Sequence, residues 1–427
     1  MYYHRHIEQV VARIAKRKPV VILTGARQVG KSTMLKEVCR GARYVTLDNP
    51  LLRQSAKESP SLFFGANKPP VIVDEIQKAA EVFDYIKCIV DEGKAKGQFF
   101  LTGSQSLKLM KNASDSLAGR AGVIKLLGLS MRELGGVSRR EPFMPTQEHM
   151  ADMGGMADMG SMADMSDASD MGDAGDGFGF WETVSSIHKG FFPELHETES
   201  DLHDWADFHS SYFQTYIEKD IRDVLNIQDE SAFIKFVKAV AARTGGMLNL
   251  AAIAEVCGKD AKTVRAWLSA LESSGLVYLL EPYCNSINKR LAKTPKLYFL
   301  DTGLACWLLG WNTPSQLANG AMWGHMFESF AFAEILKSYY NDGIANPPLN
   351  YYRDKDKNEI DLVISDGGTL HPVEIKATGD PAKSMARSFR CLRNVPGAKV
   401  GDGAIVCMAK DRLPLADGIW ALPAHMI

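Results

Sequence analysis

"VVILTGARQVGKSTMLKE", residues 20–37, joins the apolar run Val20-Val21-Ile22-Leu23 to a segment of helical patterning that includes Met34 and Leu35. Between them, Gly25 to Ser32 fits G-x-x-x-x-G-K-[ST], a pattern that carries meaning only where a strand precedes it and a helix follows, as here. Glycines let backbone N–H groups turn inward around phosphate oxygens, and the following helix points its positive N-terminus at them. In such a loop Lys31 reaches the β- and γ-phosphate oxygens and the Ser32 hydroxyl ligates Mg²⁺. The spacing predicts an ATP cradle made by Gly25, Ala26, Arg27, Gln28, Val29, Gly30, Lys31, Ser32 and Thr33. The bland alternative is a glycine turn before a helix.

A site that hydrolyses also needs a carboxylate near the metal and a base for water. Pro70-Val71-Ile72-Val73-Asp74-Glu75 offers both at the end of an apolar strand: Asp74 for the Mg²⁺ shell, Glu75 to polarise the attacking water. Phe99-Phe100-Leu101-Thr102-Gly103-Ser104 ends another strand in small polar residues. Thr102 and Ser104 are candidates to sense the γ-phosphate, with turn chemistry as the competing explanation. Arg120, just before the next strand, is either an arginine finger acting in cis or in trans, or a surface arginine.

The chain has 427 residues, enough for two to four domains. Its formal charge of -2 gives no global sign of affinity for nucleic acid or membranes, so any such affinity must be local. Seven cysteines lack the paired spacings of a zinc site or a disulfide scaffold, which suits a reducing, cytoplasmic setting. The first residues lack the apolar core of a signal peptide, and no run approaches a membrane-spanning length. Short apolar runs alternate with helical patterns from Pro19 to about Leu127, predicting an α/β domain with a mainly parallel sheet over residues 1–140.

Residues 141–188 contain no Lys or Arg and carry the near-repeats MADMGG, MADMGS and MADMSD from Met150, Met156 and Met162. That composition predicts a disordered insertion. Its Met-x-x-Met spacings also admit soft thioether ligation of Cu(I), against a plain solvated spacer. A helical linker is expected over 189–243, with helices at Asp201 to Leu225 and Ala232 to Arg243, then a helix-turn-helix and strand over 244–300. The last part, 301–427, opens with a long helix from Met322 to Tyr340 and continues as a second α/β domain.

The order GARQVGKST, TLDNP, VIVDEIQ, LTGSQ, LAGRA resembles prokaryotic AAA+ ATPases of the archaeal-ATPase-like group, whose C-terminal half is a domain of unknown function. The likeness continues through Tyr216 to Asp220 and Tyr298 to Leu304, leaving out the Met/Asp insertion. It implies a P-loop ATPase core and places Asp48 in the nucleotide region.

Leu248 to Tyr278 resembles a winged helix. Lys262, Thr263 and Arg265 would then face a DNA groove, with Lys289, Arg290, Lys293 and Lys296 adding phosphate contacts. A protein-protein module is the alternative reading of the same unit. Glu328 on the long helix, Asp361 on one strand and Glu374-x-Lys376 on the next resemble a PD-(D/E)xK nuclease, in which the carboxylates hold Mg²⁺ and the lysine activates water. A degenerate fold, with carboxylates merely paired to Lys376, is the competing reading. The leading expectation is an ATP-hydrolysing protein coupled to a DNA-binding winged helix and a nuclease-like domain. The rival is a nucleotide-dependent switch that presents its C-terminal half to a protein partner with little turnover. A homo-oligomer is compatible with either, and neither requires a membrane.

Overall fold

The computed structural model describes residues 2–103, 109, 113, 116–138, 141–152, 179–197, 201–221, 225, 227–284 and 293–427. The N-terminal unit holds α1 (Glu8–Ala15), β1 (Val20–Thr24), α2 (Lys31–Val38), β2 (Arg43–Thr46), α3 (Pro50–Glu58), α4 (Pro60–Ala66), β3 (Val71–Asp74), α5 (Glu81–Glu92), β4 (Phe99–Thr102) and β5 (Ala121–Lys125). Its five strands are all parallel, in the order β2-β3-β4-β1-β5. Every residue of β1, β3 and β4 is buried, which is why these strands read as unbroken apolar runs rather than as alternation.

The two faces of this sheet serve different cores. Val20 and Ile22 of β1, with Val71, Val73, Phe99 and Leu101, pack under α3, α4 and α5. Val21 and Leu23, with Ile72 and Phe100, point the other way into a larger core that runs on through the rest of the chain. The N-terminal unit therefore shares its second face with the helical and C-terminal parts of the chain.

After α6 (Met131–Leu134) and α7 (Gln147–Asp152), the chain is helical through α8 (Phe180–Lys189), α9 (Leu202–Tyr212) with π-helical turns to Ile221, and α10 (Glu230–Ala241). Then come β6 (Gly246–Met247), α11 (Leu250–Cys257), α12 (Ala261–Ser273), β7 (Val277–Leu280) and β8 (Lys296–Phe299). Asn249 and Asp260 cap α11 and α12 by accepting backbone N–H bonds from Ala252 and from Lys262 and Thr263. The three strands form an antiparallel sheet with β8 between β6 and β7.

The C-terminal unit comprises α13 (Thr302–Leu309), α14 (Pro314–Ala318), α15 (Trp323–Asn341) and a mixed sheet of β9 (Leu349–Arg353), β10 (Glu359–Asp366), β11 (Thr369–Ile375), β12 (Lys399–Val400), β13 (Gly403–Cys407), β14 (Leu413–Ala416) and β15 (Ile419–Pro423). Helix α15 is buried nearly all round, its charged Glu328, Glu334 and Lys337 included.

The expected insertion, 141–188, is too wide at both ends. Phe143 is buried, donating its N–H to Ser338 and accepting from the Tyr339 hydroxyl. Thr183, Val184, Ile187 and His188 of α8 are buried as well. An apolar side chain every third or fourth residue is what the low-complexity reading overlooked there. The Met/Asp repeats from Met153 onward, with the copper reading attached to them, lie outside the described residues.

Asp301 ties α8 to the C-terminal unit. Its carboxylate accepts the N–H of Leu304, capping α13, and the N–H of Phe191 just past α8. Gly190 and Gly303 touch beside it: a Cβ on Gly190 would lie 2.9 Å from the Gly303 Cα. Replacing Asp301 by Ala removes acceptors from two buried donors and should lower stability by about 1–3 kcal/mol, read as a drop in thermal unfolding temperature. An unchanged midpoint would show that the junction is held by packing alone.

Candidate functional site

The loop between β1 and α2 lies at the C-terminal edge of the parallel sheet. Gly25 and Gly30 have φ of 143° and 90°, and Gln28 sits at 63°, conformations that curl the backbone back on itself. Gly25 has a second reason to be glycine: a Cβ there would stand 2.1 Å from the Leu126 carbonyl oxygen at the end of β5. Lys31 is buried, and its ammonium donates to the carbonyls of Gly25 (3.0 Å) and Ala26 (2.6 Å). Burial lowers the Lys31 pKa to about 8, against the opposing pull of Glu75 and Asp74.

Ser32 and Asp74 meet across the sheet edge, the Ser32 hydroxyl donating to Asp74 Oδ2 at 2.6 Å. Tyr44 donates to the same oxygen at 2.8 Å, and the Glu75 N–H to Oδ1 at 3.0 Å. A hydroxyl and a carboxylate side by side on the wall of a phosphate loop are the hard oxygen donors that Mg²⁺ selects, so these residues fit the ion. Glu75 adopts a left-handed φ of 54°, and its carboxylate accepts from Gln77 Nε2 at 2.5 Å. Gln77 Oε1 and Thr102 Oγ1 are buried and have no hydrogen-bond partner among the described residues. Ser104 lies outside the described residues.

A cavity of about 570 Å³ opens in front of the loop, lined by Arg27, Gln28, Gly30, Lys31, Ser32, Thr33, Asp48 and Glu75, which suits a mononucleotide. Asp48, placed there by resemblance, is in its wall, paired with Lys78. The rest of the lining is what sequence reasoning missed. Tyr2 and Tyr3 come from the start of the chain, Pro193, Glu194 and Glu197 from just beyond α8, and the Tyr3 hydroxyl donates to the His196 carbonyl. Residues so distant in sequence leave no local pattern to find.

The loop also has a floor. Arg5 donates to the carbonyls of Val29 (2.9 Å), Leu127 (2.8 Å) and Gly128 (3.0 Å), and its Nε pairs with buried Glu133 at 3.2 Å. From α15, Lys337 donates to the Leu129 carbonyl (2.7 Å) and pairs with Glu334 (2.6 Å), while Glu334 accepts the Met131 N–H (2.8 Å). The turn after α12 brings Gly275 close enough that its Cβ would sit 3.6 Å from the Ala26 nitrogen. All three units of the chain therefore bear on the phosphate loop or on residues 126–131 beneath it.

Arg120 is not brought to the loop. It precedes Ala121, which pairs with Val20 at the start of β1, whereas Lys31 follows the far end of that strand. Its guanidinium forms a two-point pair with Asp91, Nε–Oδ1 2.6 Å and Nη2–Oδ2 2.9 Å. The cis reading is corrected by this placement at the opposite edge of the sheet.

In the C-terminal unit, Glu328 of α15, Asp361 of β10, Glu374 of β11 and Lys376 do converge. Lys376 lies 3.2 Å from Asp361 Oδ2 and 2.7 Å from Glu374 Oε1. The point between Glu328 and Asp361, however, is filled by Lys296 of β8, 3.1 Å from Glu328 Oε1, 3.1 Å from Asp361 Oδ1 and 2.7 Å from Glu359 Oε1. Burial disfavours this ammonium, but Tyr298, Asp361, Glu328 and Glu359 outweigh it and raise its pKa. Burial, reinforced by Asp361, lifts Glu328 and Glu374 to about 7. Among the described residues no group of three or more His, Cys, Asp or Glu side chains is arranged for a metal ion. Each neighbouring pair of these carboxylates thus shares a lysine, Lys296 between Glu328 and Asp361 and Lys376 between Asp361 and Glu374. Lys296 is correspondingly no phosphate contact, being 2% exposed. Lys293 is exposed, and Lys289 and Arg290 lie outside the described residues. Lys262 and Arg265 are exposed on α12, while Thr263 is half-buried, its hydroxyl donating to Asp260.

Comparison with known families matches residues 17–135 to an AAA domain, 182–315 to a domain of unknown function (DUF8612) and 323–427 to another (DUF4143). An uncharacterized protein of Mycobacterium bovis and one of Mycobacterium tuberculosis are each 29% identical over 419 residues, covering 97% of this chain and 82% of their own length. Among solved structures, a Walker-type ATPase of Pyrococcus abyssi aligns at 13% identity with a TM-score of 0.43, covering 72% of this chain and 96% of that one. The ADP form of the Aeropyrum pernix ORC2 protein aligns at 12% with a TM-score of 0.31, covering 81% and 96%. Likenesses that distant bear on neither activity nor partners. The chain thus combines a parallel-sheet, P-loop NTPase-like N-terminal domain with a mixed-sheet C-terminal domain. No described helix is long and apolar enough to cross a membrane.

The lowered pKa of Lys31 makes a pH prediction. A triphosphate beside the ammonium holds its proton more tightly, so affinity is full below about 8 and falls as pH rises above it. Calorimetry with Mg·ATP near pH 8.5, in buffers of different ionisation enthalpy, should show proton uptake on binding. Affinity that stays level from pH 7 to about 9.5, with no proton taken up, would contradict the burial of this amine.

Proposed function

We propose that the chain binds Mg·ATP at the loop of residues 25–33 and hydrolyses it, passing the nucleotide state to its C-terminal half through residues 126–131. The observation that carries this is the convergence of Lys31, Ser32 and Glu75 on one cavity, with Asp74 behind them accepting the Ser32 hydroxyl and the Glu75 N–H. The loop amides and Lys31 bind the phosphates, with the ammonium leaving the carbonyls of Gly25 and Ala26 to do so. Ser32 and Asp74 would hold Mg²⁺, which would supply neutralising charge to the phosphates. Glu75 orients the attacking water and takes its proton, released for that task by Gln77. Tyr44 fixes the rotamer of Asp74. A copy of Arg120 from a second chain is the remaining way for that residue to reach the phosphates.

Exposed Lys262 and Arg265 near the N-terminus of α12 support a second element of this reading, a winged-helix surface that contacts DNA phosphates. Its strength is local charge alone. In the wild-type protein, affinity for duplex DNA should fall steeply with salt, and Lys262→Ala with Arg265→Ala should reduce the slope of log affinity against log salt by about 1–2. Salt-independent binding, or none, would leave this helix pair as a protein-docking module.

For the nucleotide site, Lys31→Ala should remove detectable ATP binding. Glu75→Gln should retain binding while lowering the turnover rate by about 100-fold or more. Wild-type turnover in both variants would overturn the assignment.

A further inference from the structure

The carboxylates of the C-terminal sheet leave little room for an external ion. Glu328 Oε1 accepts from the Tyr298 hydroxyl at 2.7 Å and faces Lys296 at 3.1 Å. Asp361 divides its oxygens: Oδ1 faces Lys296 at 3.1 Å, and Oδ2 accepts the Ile375 N–H at 3.0 Å and Lys376 at 3.2 Å. Glu374 gives Oε1 to Lys376 at 2.7 Å and Oε2 to the Ser388 hydroxyl at 3.3 Å. Glu359 lies 2.7 Å from Lys296 and 3.7 Å from Arg353. A divalent ion would need to stand roughly 2.0–2.6 Å from the same Glu328 and Asp361 oxygens that point at the ammonium. Both cations cannot hold one position.

Nor can Lys296 readily withdraw. It sits on the middle strand of the small sheet, paired with Met247 of β6 on one side and Leu280 of β7 on the other, with its side chain 3% exposed. Its stem crosses from that sheet into the C-terminal unit, so the charge it brings comes from a different part of the fold than the carboxylates it neutralises. Removing one partner of such a buried pair is costly because the remaining charges stand unpaired.

We propose that Lys296 is a built-in cation that replaces a divalent metal among Glu328, Glu359 and Asp361, and that this cluster joins β8 to the C-terminal sheet without cutting nucleic acid. The inference is independent of the ATPase reading, since its test reads Lys296, Glu328, Glu359 and Asp361, none of which lines the nucleotide cavity.

The test uses the full-length protein and Mn²⁺ as the probe. In calorimetric titrations, wild-type protein and Asp361→Asn should bind Mn²⁺ indistinguishably, because no ion uses this cluster. Lys296→Met, which keeps the aliphatic stem and removes the charge, should melt at a lower temperature in EDTA and recover with Mn²⁺. It should also gain a Mn²⁺ site at least about tenfold tighter than any in wild type, one lost again when Asp361→Asn is added. The proposal is overturned if wild-type protein binds Mn²⁺ in a manner that Asp361→Asn abolishes, or if it cuts duplex DNA with Mn²⁺ and Asp361→Asn stops the cutting. The wild-type comparison decides the matter even where Lys296→Met does not fold.

Discussion

The absence of a side chain at residue 25 lets the phosphate loop rest directly on the end of β5. A methyl group there would meet the Leu126 carbonyl at 2.1 Å, so only glycine lets the loop pack this closely on residue 126. Those residues are in turn held by groups from elsewhere: Arg5 near the start of the chain, and Glu334 and Lys337 on α15. Each of these polar side chains is buried and satisfied by backbone carbonyls, an N–H or an ion partner, so shifting the segment exposes several charge-assisted bonds at once. A loop that tightens around phosphates thus acts on a floor shared by all three units.

The two carboxylate sites of the chain illustrate opposite uses of the same chemistry. Asp74 is bonded by Ser32, Tyr44 and a backbone amide, beside a cavity open to a nucleotide. Asp361 is bonded by two lysines and a backbone amide in a position 7% exposed. The first is met by two hydroxyls and a backbone amide, all neutral donors. Ammonium groups around the second meet its charge from within the protein.

Much of the N-terminal unit was legible because physics wrote it locally. Strands buried on both faces must be apolar throughout, and a loop that wraps phosphate must have glycine where φ is positive, so Val20 to Leu23, Gly25, Gly30 and Val71 to Asp74 announced themselves. The long helix and strands around Asp361 and Glu374 were legible for the same reason. Lys296 was not, because a lysine near other basic residues reads as surface charge unless its buried partners are known, and those lie 32 to 65 residues further on. Tyr2, Tyr3 and Pro193 were invisible as cavity walls since only folding brings them together. Arg120 failed for a related reason: the sequence tells that it precedes a strand, but not which edge of the sheet that strand's start occupies. Strand β14 was overlooked because a short edge strand carrying Pro414 lacks both alternation and an apolar run, and β15, between β14 and β13, because its five residues end in a proline.

The coupling between nucleotide and C-terminal half is tested most directly by backbone amide hydrogen exchange of the full-length protein with and without Mg·ATP. Shared support beneath the loop predicts slower exchange not only at residues 25–33 but also at 126–131 and along α15 around Glu334 and Lys337. Protection confined to the phosphate loop, with α15 exchanging at the same rate in both samples, would contradict it.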